Sequence, residues 1–183
     1  MAQASSAFND RAMALPSRNQ TFAYESCRDL VEKLDREIGR YREVAGNDED
    51  HDGEALLNLV HQLTDAAFNA SVTAWHLCDW VFNDLTSEQR QKLGFATLLK
   101  LQDHAKTQCR ALYLCRYTAT ASKHWRVDNN PDPSVQVVVA HEDGWVIYFV
   151  DDGKKNTRRT SVRGGARLLE RLRPRQWHCQ SAR

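Results

Sequence analysis

The chain has 183 residues, of which 42% are apolar and 27% charged. This suits a folded domain with a continuous core and excludes an extended disordered polymer. No run approaches the ~18 uninterrupted apolar residues of a membrane-spanning helix. The formal charge of +1 hides a division: residues 1–153 hold 15 Lys and Arg against 23 Asp and Glu, net −8, and residues 154–183 hold 10 against 1, net +9. A basic segment of this density is an electrostatic footprint for phosphate, or a partner for the acidic remainder of the chain.

Residues 1–20 are rich in Ala, Ser, Asn and Gln, include Pro16 and show no sustained period, so they are expected to form a flexible arm. They lack the basic start and apolar run of a secretory signal. Five cysteines (Cys27, Cys78, Cys109, Cys115, Cys179) are odd in number and scattered without a CxxC pair. That spacing argues against a disulfide framework and a thiolate zinc site, and a cytoplasmic location is expected.

From Tyr24 to Val44 the apolar positions Leu30, Val31, Leu34, Ile38 and Tyr41 recur three and four apart, which predicts an amphipathic helix. The acidic stretch between Gly46 and Gly53 reads as a solvated loop. Leu56, Val60, Leu63, Ala67, Ala70, Ala74, Leu77 and Val81 then alternate spacings of four and three without a miss. A second row, Leu57, Phe68, Trp75, Cys78 and Phe82, widens the stripe. No Gly or Pro intervenes from Glu54 to Leu85, so a helix of about 30 residues is predicted, ~45 Å long, central to a bundle. Thr86 and Gln89 form a capping-box pattern, and Gly94 suits a helix stop. A further long helix is predicted from Ala96 to Lys123, ended by the Asp- and Pro-rich stretch at 128–133.

Beyond this point the period becomes two. Val135–Val139 and Trp145–Val150, with Asp143-Gly144 between them, predict antiparallel strands, with a third, basic strand over Lys154–Val162. Gly164-Gly165 precedes a short helix that Pro174 stops. The expected fold is mainly α: a helical bundle with two long central helices over residues 21–127, then a small antiparallel β-meander and a short basic C-terminal helix over 134–183, packed on the bundle.

The chain has no Walker-type phosphate loop, no GxGxxG after a strand and no serine-hydrolase elbow, so no cofactor is expected. His76 and Asp79, three apart on the central helix, make half a metal site at best. With Asn69, Thr73 and Asn83 they read as a polar strip, and no metal is expected. Chemistry is better placed at Cys115-Arg116-Tyr117-Thr118-Ala119-Thr120-Ala121-Ser122-Lys123-His124, where a helix end can bring an imidazole beside permanent cations. A base for a 2′-hydroxyl and a positive group for the phosphorane are the minimum for RNA cleavage without metal. Alternatively, Arg116 pairs within the bundle with Asp65 or Asp79, and His124 merely ends the helix.

Two long helices followed by this Arg…His arrangement resemble the HEPN superfamily (higher eukaryotes and prokaryotes nucleotide-binding domain) over about residues 24–126, and Ala74-Trp75-His76-Leu77-Cys78-Asp79-Trp80 is similar to HEPN-like bacterial and mobile-element proteins. The resemblance implies a metal-independent endoribonuclease of a bacterial defence or toxin-type system, a homodimer with a composite site. Arg116 would hold the scissile phosphate and His124 would act as general acid or base. Seven residues lie between them, about 80° apart on an ideal helix, so their convergence needs a distorted helix end or a second chain. Lys123, Lys154, Lys155, Arg158, Arg159, Arg163, Arg167 and Arg171 would grip the RNA backbone. Other members of the superfamily are non-catalytic modules that bind a protein or nucleic-acid partner.

Overall fold

The computed structural model describes residues 23–46, 52–123, 135–142 and 144–151. Five helices, α1 (Cys27–Ala45), α2 (Gly53–Asp84), α3 (Ser87–Lys92), α4 (Leu98–Gln108) and α5 (Arg110–Lys123), precede two strands, β1 (Val135–Glu142) and β2 (Gly144–Asp151). The predicted arm, the third strand and the basic C-terminal helix lie outside the described residues. Among those described, no helix is long and apolar enough to cross a membrane.

Helix α1 begins at a capping box. The Ser26 hydroxyl accepts the Asp29 N–H, and the Asp29 carboxylate accepts the Ser26 N–H at 2.9 Å. A second orphan amide, that of Cys27, donates to the Asp84 carboxylate at 2.7 Å, which fastens the start of α1 to the end of α2. Farther along α1, Lys33 reaches Thr73, so the two helices run antiparallel. Cys27 itself is disulfide-bonded, its partner lying outside the described residues. This corrects the expectation, drawn from an odd number of scattered cysteines, that the chain has no disulfide: two cysteines far apart in sequence can meet once the chain folds.

The predicted stripes of both helices meet in one core over most of their length. In the first half of α2, however, the buried positions are Leu59 and Ala66, one residue before the predicted Val60 and Ala67, and Leu56 is only half-buried. Leu30, Leu34, Ile38 and Tyr41 pack with Leu63, Ala66, Ala70, Ala74, Leu77 and Val81. The alanines thin α2 at the contact and allow close approach of its partner. The second predicted row is only partly covered. Cys78 is buried and Trp75 and Phe82 lie against the core, whereas Leu57 and Phe68 stand in solvent.

Thr86 and Gln89 form their reciprocal cap at the start of α3, and Gly94 takes φ +79° just past its end, where an L side chain would be strained. The single long helix predicted from Ala96 to Lys123 is two helices. Cys109 has extended backbone (φ −137°, ψ 99°) and separates α4 from α5 without Gly or Pro. Thr107 returns its hydroxyl to the Asp103 carbonyl at 2.8 Å, a contact that favours bending. The interruption also lets Leu101 and Ala105 of α4 and Ala111, Leu114, Cys115 and Ala119 of α5 each reach the interior. Leu112 lies partly buried against the same core.

The strands pair antiparallel from Val135↔Asp151 to Glu142↔Gly144, as a hairpin. A two-stranded ribbon is marginal alone and needs a surface to lean on. Here Ile147 packs against the helical core, and its N–H donates to the hydroxyl of buried Tyr41 at 3.3 Å.

Candidate nucleic-acid interface

Helix α5 carries Arg110, Arg116 and Lys123 and not one carboxylate. Its buried side is Ala111, Leu114, Cys115 and Ala119. The opposite side presents Arg110, Tyr113, Arg116, Thr120 and Lys123, exposed or half-buried, with half-buried Tyr117 at its edge, the Tyr117 hydroxyl itself being buried. Arg110, Tyr113, Arg116, Thr120 and Lys123 follow one another at steps of three and four, so they share one helix face. The Arg110 guanidinium stacks 4.1 Å from the centre of the Tyr113 ring, and the Tyr113 and Tyr117 rings lie 6.4 Å apart. Cations interleaved with half-exposed aromatic rings suit a nucleic-acid strand, because the cations neutralise phosphates while rings accept stacked bases.

Arg116 is half-buried and makes no ion pair among the described residues. The alternative pairing with Asp65 or Asp79 is therefore not found there. His124 lies outside the described residues, as do Lys154, Lys155, Arg158, Arg159, Arg163, Arg167 and Arg171.

The predicted polar strip of α2 lies on a helix that packs against α5. Lys123 is exposed at the last position of α5, close enough for its charge to act on both His76 and Asp79 of α2. Burial holds the His76 imidazole below its ordinary proton affinity, and Lys123 and Lys33 add to this against the opposing pull of Asp79. Burial raises the Asp79 carboxyl, opposed by His76 and Lys123. Lys33 approaches from α1, its ammonium donating to Thr73 at 2.7 Å and to Glu37 at 2.9 Å. Glu37 is a buried carboxylate. Burial pushes its pKa up, but Lys33 and Arg40 together outweigh that and leave it below the ordinary value.

Burial pushes the Cys78 and Cys115 thiols up to about 12, so neither is a thiolate at neutral pH. Among the described residues no group of three His, Cys, Asp or Glu side chains is arranged to hold a metal ion. Sequence reasoning singled out Arg116, Lys123, His76 and Asp79 but missed Arg110, Tyr113 and Lys33. The first two were visible as an Arg-x-x-Tyr-x-x-Arg-Tyr spacing; the third had no local signal, since its partners lie on another helix. No family model, curated protein or solved structure matches the chain.

Proposed function

We propose that this chain is a helical nucleic-acid-binding domain that takes single-stranded RNA along the outer face of α5. The observation that carries this reading is the composition of that face: three cations, two neighbouring tyrosines and no carboxylate on the whole helix. An acidic chain body makes such a helix unusual, since residues 1–153 are net −8. The test is binding of a labelled, unstructured RNA as salt is raised. Affinity is expected to fall steeply, by a slope near 0.7 per phosphate contact for a single strand. Binding that ignores salt, or none at all, would overturn the assignment.

A second reading is supported by one feature, the half-buried Arg116 without an ion pair among the described residues. A guanidinium in that setting suits a scissile phosphate, with His124 as general acid or base, in a metal-independent endoribonuclease of a bacterial defence or toxin-type system. Purified protein is then expected to cut RNA in EDTA and leave a 2′,3′-cyclic phosphate, and His124→Ala and Arg116→Ala are expected to abolish cutting. Equal cleavage by wild type and His124→Ala would remove this reading while leaving the binding face in place.

A further inference from the structure

Cys27, at the first position of α1, is disulfide-bonded, whereas Cys78, Cys109 and Cys115 carry free thiols. Of the five cysteines in the chain, Cys179 is then the one left to pair with it. Chain length permits this pairing. Ile147 of β2 donates to the Tyr41 hydroxyl, and Tyr41 lies 14 residues along α1 from Cys27, ~21 Å at helical rise. The 28 residues from Asp151 to Cys179 reach ~42 Å even at that rise, and farther when extended. The pairing also joins opposite charges. Asp84 accepts the Cys27 N–H at 2.7 Å, Asp29 accepts the Ser26 N–H at 2.9 Å, and Glu25 is exposed nearby. Cys179 is flanked by Arg173, Arg175 and Arg183 with no acidic side chain between them, in a segment (154–183) of net +9. A disulfide holds its Cα atoms about 6 Å apart and four residues span at most ~14 Å. Arg175 and Arg183 would therefore stay within about 20 Å of Cys27 and its carboxylates.

We propose that Cys27 and Cys179 form a redox-controlled disulfide that holds the basic C-terminal segment against the acidic start of α1. This goes beyond the RNA reading of α5 and does not depend on it. The bond turns the meeting of segment and carboxylates into an intramolecular event, at an effective concentration in the millimolar range. Oxidation joins the two sulfurs and passes two electrons and two protons to an acceptor such as oxidised glutathione, which leaves as two glutathione thiols. A dithiol reverses the step: its thiolate attacks the S–S bond, both cysteines return to thiols, and the dithiol closes to a cyclic disulfide. Once the bond is open, only the screened attraction between exposed charges holds the segment, and that attraction is weak. The state of one bond thus decides whether the densest positive charge of the chain faces its own carboxylates or an outside phosphate.

The experiment takes full-length protein equilibrated with excess oxidised glutathione, alkylates it in denaturant without reductant, and maps its tryptic peptides by mass spectrometry. Residues 19–28 are expected cross-linked to residues 176–183, with Cys78, Cys109 and Cys115 alkylated. Treatment with dithiothreitol is expected to remove the cross-linked species and release both peptides. A second readout is brief trypsin digestion of the native protein, followed through cleavage within residues 154–175. That cleavage is expected to run about tenfold faster after dithiothreitol, because cutting tracks the population of the released segment. In Cys179→Ser it is expected to be fast with and without the reductant. Five alkylated cysteines, a glutathione adduct on Cys27, a bond between two chains, or a cross-link from Cys27 to another cysteine each overturns the pairing. A cleavage rate in wild type that ignores dithiothreitol overturns the docking of the segment. The peptide map is read on the wild-type chain, so the pairing is tested even where Cys179→Ser does not fold.

Discussion

The α1–α2 pair and α5 use charge in opposite ways. Between α1 and α2 the charged groups at the contact are answered: Asp29 by Ser26, Asp84 by the Cys27 amide, Glu37 by Lys33 and Arg40, and Lys33 also by Thr73. Helix α5 offers three cations with no carboxylate of its own, and Arg116 has no ion pair among the described residues. Paired charges inside a scaffold fix register, whereas an outward cation without an ion pair, as at Arg116, attracts an anion. The first region has the character of a frame, the second that of a working surface.

The frame and the surface should therefore fail separately. The largest effect is expected from Leu63→Ala, at a side chain with no exposed area in the α1–α2 core. It should cost about 2–5 kcal/mol in urea unfolding, with RNA affinity of the folded fraction unchanged. Next, Glu37→Gln should cost about 1–3 kcal/mol at neutral pH, because charge-assisted hydrogen bonds at a buried site are lost. The Glu37 pKa is depressed in the folded state, so the stabilisation is full above its ordinary value of 4.5 and disappears as pH falls through the lowered one. Wild type and Glu37→Gln should then converge in acid, and curves that stay parallel would show that the carboxylate contributes nothing specific.

Arg116→Ala tests the surface. RNA affinity should drop about tenfold and the salt slope by about one contact, with unfolding free energy within about 0.5 kcal/mol of wild type. A loss of stability as large as that of Leu63→Ala would instead place Arg116 in the frame. The smallest effect is expected at Thr118, whose buried hydroxyl has no hydrogen-bond partner among the described residues. Thr118→Val should be neutral or stabilising by up to about 1 kcal/mol, since removing an unanswered polar group offsets little else.

Much of the frame was legible beforehand. The unbroken period of α2, the stripe Leu30–Leu34–Ile38–Tyr41, the Thr86–Gln89 box and the turn at Gly94 are local signals, each read within a few residues of the groups that satisfy it. The Ser26–Asp29 box was equally local but passed unnoticed. The site was half legible. Arg116, Lys123, His76 and Asp79 were marked for their chemistry, while Arg110 and Tyr113 were not.

The sequence by itself determined which segments are helical or extended and which side of α1 and α2 is buried, because helix hydrogen bonds and side-chain periodicity are local. Tertiary structure decided the interruption at Cys109, the rotation of α5 that turns Arg110, Tyr113 and Arg116 outward, and the reach of Lys33 from α1 to Thr73 of α2. Those depend on how separate helices compete for one core, a choice made between segments far apart in the chain and written in no single one of them.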